Sequence, residues 1–286
     1  MVNLLINALT ALVSFRFLRL LNFTSGQAIA GALALLFSTT HLHYTQNMME
    51  NNYIQLLTLV GFSYQYEWLR TSNCKSLWIG FAGLGLNLLT RLTTGLDVLA
   101  VALFLFLVLC FEGCRQVRHF FLEYLKVALP VRALFLACER LYQYYRFGSF
   151  VSTYVSVLAR EYHRLDPTLP LNYPWETPFR VGFSGALLAP ARSIFLFDPL
   201  LVLTLLGASR AWNHLLPAVK AYLLAVAILL FAYISFYARS TVWSGDFARG
   251  DRYVSTAAQL ATFISVPLRL RHRPVWENFC GAPACF

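Results

Sequence analysis

Runs of apolar residues, each closed by a short polar or basic patch, recur along almost the whole chain. A membrane-spanning helix needs about 20 predominantly apolar residues, with a range of about 17–25. On that ruler the runs fall at 2–18, 26–41, 52–69, 76–91, 93–111, 121–143, 194–209, 215–238 and 253–269. The pattern predicts an all-α, polytopic bundle of about nine spans, several of them short, forming one integral membrane domain over 1–286. The connections alternate in kind. One set carries Arg16 and Arg19; Arg70 and Lys75; Arg115 and Arg118; Arg210; and Arg269, Arg271 and Arg273. By the positive-inside rule these face the cytoplasm. The other set, 42–51, 91–93, 144–193 and 239–252, then faces outward. The stretch 144–193 is long, aromatic and proline-bearing, and a loop of this size is more often functional than a plain linker. Within it Val181–Leu188 is too apolar for open water, which predicts short interfacial helices. The tail 274–286 has no helical period.

Composition points the same way. The 286 residues are 58% hydrophobic and 13% charged, and mean hydropathy is +0.57; ordinary globular chains are about 45–50% apolar and about 25% charged. The net charge of +10 sits mostly between apolar runs, so it encodes topology. No basic stripe or recognition motif is present, and nucleic acid is excluded as a partner. The six cysteines form no CxxC pair and no zinc spacing. His41 and His43 stand one residue apart with no nearby third ligand, a poor metal site that reads better as interfacial histidine. The sequon at Asn22 falls on the cytoplasmic side of the scheme. No phosphate-binding loop, dinucleotide fingerprint or nucleophile elbow appears, and no cofactor is implied.

The densest chemistry lies in the last outward connection. Trp243, Gly245, Asp246, Phe247, Ala248, Arg249, Gly250, Asp251, Arg252 and Tyr253 place two aspartates, two arginines and three aromatics at a membrane boundary. Charged groups there are costly unless paired, solvated or used. This run resembles the W-x-G-D-(F/W)-(A/S)-W-G-(P/D)-R-Y signature of bacterial GT-C glycosyltransferases, with Arg249 where the pattern has tryptophan. That family is related to the protein O-mannosyltransferase and lipid A aminoarabinose transferase group. Three further stretches are similar to family segments. Tyr145, Arg146, Phe147, Gly148 and Ser149 match N-Y-x-R-F-G-S; 189–199 matches F-S-P-G-R-G-L-F-x-Y-S-P; and 85–91 matches G-L-A-x-L-T-R. The resemblance covers nearly the whole chain in order.

What the resemblance implies is transfer of a sugar from a polyprenyl-phosphate donor to a glycan, lipid or protein acceptor, at the outer face of a bacterial inner or plasma membrane. Such transfer needs a base for the acceptor proton, cations for the phosphate leaving group and an apolar groove for the lipid. A guanidinium fork matches phosphate oxygens and stays charged. Arg252 is therefore the first candidate for the donor phosphate, with Arg192 and Arg91 behind it; Arg252 also reads as a topological anchor with Asp251 or Asp246 as its partner. Asp246, Asp251 and Tyr253 are candidates to bind sugar or orient an arginine. Glu50 stands where the loop 42–51 re-enters the membrane; it is a candidate catalytic carboxylate, an arginine partner, or a carboxylate favoured by a helix N-terminus. The family's base lies in the first outward loop, and this chain starts on what resembles the following helix. The expectation is a chain that lacks that carboxylate and transfers no sugar on its own. The competing expectation is a non-catalytic lipid-binding scaffold or carrier. A carrier calls for ionisable groups at mid-span, whereas most charges here sit at span edges. Glu123, Lys126, Arg132, Glu139 and Arg140 are the exceptions within 121–143.

Overall fold

A computed structural model describes residues 2–46, 50–113, 117–243 and 252–272. Among these residues the chain is helical throughout and forms no strand. In chain order the helices are α1 (Val2–Leu20), α2 (Ser25–Phe37), α3 (His41–Gln46), α4 (Glu50–Thr71), α5 (Cys74–Thr90), α6 (Gly95–Phe111), α7 (Val117–Phe147), α8 (Tyr154–Leu165), α9 (Phe179–Leu188), α10 (Ile194–Phe197), α11 (Leu200–Ala211), α12 (Pro217–Tyr237), α13 (Ser255–Thr262) and α14 (Ser265–Arg271).

Each of the nine apolar runs is helical, but they do not make nine uniform spans. Three segments are long and apolar enough to cross a membrane: Val2–Leu20, Leu92–Phe111 and Pro217–Tyr237. Three runs are split. The run 26–41 stops at Phe37, and a 13-residue helix rises only about 20 Å, short of a hydrocarbon core of about 30 Å. The run 194–209 breaks at Asp198 and Pro199, and proline disfavours a helical residue before it. The run 253–269 breaks at Phe263 and Ile264, which puts Pro267 in the first turn of α14, where its missing N–H costs little. The run 121–143 is the reverse case. It extends into the 31-residue α7, about 46 Å long, and carries Pro130 inside it. The stretch 144–193 is also not one loop. Its first residues finish α7, and α8 and α9 follow. The tail 274–286 lies outside the described residues.

The charged residues of α7 are used locally. Glu123 pairs with Lys126 at 2.6 Å, one turn apart. Arg132 donates to the Tyr124 hydroxyl at 3.3 Å and lies over the Phe81 ring. Glu139 is held by Arg140 and by Gln143 at 2.9 Å.

The centre of the bundle is aromatic. Phe17 of α1, Phe62 of α4, Phe104 of α6, Tyr222 of α12 and Phe263 meet with ring centroids 5.2–6.3 Å apart, edge-on or tilted in most pairs. Such geometry adds to the area these rings bury. The Tyr222 hydroxyl donates to Leu260 O at 2.7 Å, so burial leaves it partnered. Around this centre buried polar groups stand beside exposed large apolar side chains. Gln55, Thr58, Asn87, Asp97 and Gln259 are buried, while Leu4, Leu12, Ile29, Leu99, Ile228 and Phe231 are exposed. Soluble monomers rarely show contiguous apolar surface on this scale.

The helices run up and down between two ends. At one end Arg16 pairs with Glu67 at 2.5 Å, Arg70 pairs with Glu112, and Arg271 donates to Asn22 O at 3.1 Å. At the other end α3 closes against α1, with His41 Nε2 3.0 Å from Asn7 Oδ1. The segments 174–177 and 239–241 are laced together at this second end. Thr177 N–H donates to Arg239 O at 3.1 Å, and Thr241 N–H donates to Pro174 O at 2.8 Å. Two glycines allow α9 to seat there: any side chain on Gly182 would drive into the Ala238 carbonyl, and one on Gly185 into the Trp243 ring.

Candidate functional site

Three chain breaks at the second end bring distant residues together. Glu50 opens α4, where the helix dipole favours a carboxylate. Arg91 leaves α5 with an extended backbone and precedes a short 3-10 turn at Leu92–Thr94. Arg252 and Tyr253 stand just before α13. The Glu50 carboxylate pairs with the Arg91 guanidinium, and the same Oε1 lies 3.4 Å from Arg252 Nη2. Both guanidiniums sit over the Tyr253 ring, 5.1 and 5.4 Å from its centroid. Cations placed there are held by the ring's quadrupole.

The surroundings fix this arrangement from below. Tyr253 stacks on Tyr237 at 4.4 Å, and the Tyr237 hydroxyl is 2.9 Å from Thr93 Oγ1. Asn51 donates to Arg252 O at 2.6 Å and to Ser255 Oγ at 2.8 Å. Deeper still, the buried Asp97 carboxylate accepts from Tyr233 OH, Thr58 Oγ1 and Asn87 Nδ2, each at 3.2 Å. Tyr233 OH also lies 3.4 Å from Thr93 O, which links this buried carboxylate to the turn beside Arg91.

Two features make the cluster reactive toward an anion. The first is its charge: two guanidiniums share one carboxylate among the described residues, leaving an excess of one positive charge. The second is an unmet donor, since Arg252 Nε is buried and has no hydrogen-bond acceptor among the described residues. A buried donor without an acceptor is costly, and an incoming oxyanion would relieve it. The site is graded in exposure. The Arg91 side chain is 16% exposed, Arg252 27% and Glu50 37%, so the carboxylate is on the open side.

Of the residues singled out from the sequence, the structure therefore brings together Arg252, Arg91, Tyr253 and Glu50. Arg192 is placed on another element, the turn before α10, half-buried, with its N–H donating to Ala189 O at 2.9 Å. Asp246 and Asp251 lie outside the described residues. Sequence reasoning passed over Asp97, Tyr233 and Tyr237. Asp97 carries a signal, as the only carboxylate in the run 93–111, because an ionisable group inside a span is a functional hypothesis by default. The two tyrosines carry none, since tyrosine is common in spans and at their edges. His41 bonds Asn7, and among the described residues no three His, Cys, Asp or Glu side chains gather as a metal site. Among the cysteines, Cys74, Cys110 and Cys138 are free thiols.

No protein-family model matches the chain, and no curated protein and no solved structure matches it.

Proposed function

We propose that the chain is a multi-pass membrane glycosyltransferase of the GT-C type, resident in a plasma membrane, that takes its sugar from a polyprenyl-phosphate donor. The observation that carries this reading is the pair Arg91 and Arg252, set on one aromatic ring and sharing a single carboxylate, with Arg252 Nε unmet. A phosphate monoanion or diester fits that fork better than a carboxylate does, because it offers more oxygens to planar N–H donors. The exposed apolar flanks of the bundle supply a place for the polyprenyl chain. All nine helical segments belong to the membrane domain in this reading, and the shorter or more polar ones are shielded by their neighbours.

Glu50 takes the place on the two guanidiniums that the donor phosphate would occupy. Phosphate binding competes for Arg91 and Arg252 and releases the carboxylate at the open side. The acceptor hydroxyl oxygen then attacks the anomeric carbon, and the bond from that carbon to the phosphate oxygen breaks. Polyprenyl phosphate leaves against the two guanidiniums, and Glu50 takes the acceptor proton in place of the family's first-loop carboxylate, whose expected absence led the sequence to predict no transfer. Asp246 and Asp251 remain candidates to bind the sugar, and Arg192 to meet the donor from the α10 side.

The test uses the chain reconstituted in vesicles with a labelled polyprenyl-phosphate sugar. Donor binding that is lost in Arg252→Ala, with turnover lost in Glu50→Gln while binding persists, assigns both roles. Binding without turnover leaves a lipid-phosphate carrier or scaffold. Absence of donor binding removes the reading altogether.

A further inference from the structure

The helix α8 is built for a surface that the rest of the described chain covers only at Tyr162, which meets the Tyr173 ring at 5.7 Å. Its start is secured locally: Thr153 and Ser156 form a reciprocal cap, with Thr153 N–H donating to Ser156 Oγ at 2.8 Å. None of its twelve residues is buried. At about 100° per residue, Tyr154, Val155, Leu158, Tyr162 and Leu165 fall within one arc of about 100°, and all five are exposed. The opposite face carries Ser156, Arg160, His163 and Arg164, with Val157 beside Arg164 and Glu161 bordering the apolar arc next to Tyr154. Arg160 bonds only neutral partners, Ser156 O and Ser152 Oγ, while Arg164 pairs with Glu161 at 2.6 Å. The polar face is thus net basic by one charge.

Position in the fold names the occupant. The end of α7 delivers a band of exposed aromatics, Tyr142, Tyr144 and Tyr145, the last 88% exposed, and Phe150 continues it by stacking on Tyr144 at 4.3 Å. Bands of amphipathic aromatics mark the level of lipid headgroups. Tyr154 and Tyr162 extend that band along α8. A short helix with one apolar face, a basic opposite face and flanking tyrosines lies in the plane of a bilayer surface, apolar side down.

We infer that α8 is an interfacial helix that rests its Leu158 face in the acyl–headgroup boundary of an anionic leaflet, with Arg160 and Arg164 reaching up to lipid phosphates. This seats the 144–193 region on the membrane at the end that bears Arg91 and Arg252, and it stands whether or not that pair binds a donor.

The experiment is nitroxide labelling of the full chain in vesicles, with the native cysteines replaced by serine. Labels are placed through Leu158→Cys, Leu165→Cys and Arg160→Cys. The expected result is several-fold higher collision with oxygen than with a water-soluble nickel complex at 158 and 165, and the reverse at 160. Including phosphatidylglycerol deepens the 158 and 165 labels, and the Arg160→Glu/Arg164→Glu pair abolishes that deepening. Equal nickel access at all three positions overturns the inference. So does shielding of 158 from both probes with an immobilised spectrum, which means the face is covered by protein, a second copy included. Depth that ignores phosphatidylglycerol overturns the anionic assignment. Helical circular dichroism in each variant guards against a chain that has failed to fold.

Discussion

The two ends of the bundle handle arginine differently. At one end Arg16 and Arg70 each have their own carboxylate, while Arg19 and Arg271 donate to the backbone carbonyls of Phe23 and Asn22. Arg70 spans both oxygens of Glu112 and also donates to Tyr66 OH at 2.8 and 2.9 Å. Arg16 takes one oxygen of Glu67, and Ser76 takes the other at 2.5 Å. Within these two pairs charge is balanced one to one. At the other end Arg91 and Arg252 divide one oxygen of Glu50, and Arg252 keeps an unmet donor. Among the described residues the same residue types therefore make one-to-one pairs at one end and a two-to-one cluster at the other. Stoichiometry and satisfaction distinguish a site from a brace here; the presence of ion pairs does not.

The comparison breaks first at Arg91. Arg91→Ala removes the least exposed of the cluster cations, and truncating one partner of a desolvated pair costs about 2–5 kcal/mol of binding. Donor affinity, measured with a labelled polyprenyl phosphate, is expected to fall by about 30-fold or more, from the same range. A substitution that tests the seating of the outer segments comes next. Gly182→Val forces α9 away from the Ala238 carbonyl, and overpacking of this kind costs about 1–3 kcal/mol. Faster proteolysis within 144–193, with thermal unfolding of the bundle little changed, is the expected readout. The smallest effect belongs to the one-to-one pairs. A double-mutant cycle on Arg16 and Glu67, both partly exposed, should give a coupling of about 0.2–1 kcal/mol in unfolding experiments. A coupling there as large as that between Glu50 and Arg91 would erase the distinction between the ends. Labelling of single cysteines sharpens the same contrast geometrically. Thr241→Cys and Arg210→Cys should react from opposite sides of oriented vesicles.

Much of the fold could be read from hydropathy alone, because a helix that meets lipid must be apolar over its length. All nine runs are helical, and three helical segments are long and apolar enough to cross a membrane. The same ruler missed the breaks. Asp198 accepts from Thr40 N–H at 2.8 Å, across 158 positions, and so ties the start of α3 to the start of α11; no local pattern announces such a contact. It also missed the true length of α7, whose charged residues satisfy one another along the helix. At the site, Arg91, Arg252, Tyr253 and Glu50 were all legible as boundary residues. Their sharing of one carboxylate was not, since Glu50 lies 41 positions from Arg91 and 202 from Arg252. Asp97 and the tyrosines above it were invisible as a network because hydrogen bonds between helices leave no periodicity in the chain.

Donor binding by a matched pair of variants tests the central claim most directly. Arg252→Ala and Arg70→Ala each remove one guanidinium, the first from the two-to-one cluster and the second from a one-to-one pair. Equilibrium binding of a labelled polyprenyl-phosphate sugar to each variant in vesicles should show a loss of about 30-fold or more for Arg252→Ala, on the cost of truncating a buried charge contact, and affinity close to that of the unaltered chain for Arg70→Ala. Equal affinities in the two variants would mean that Arg252 is only an anchor and that the two ends do not differ in function.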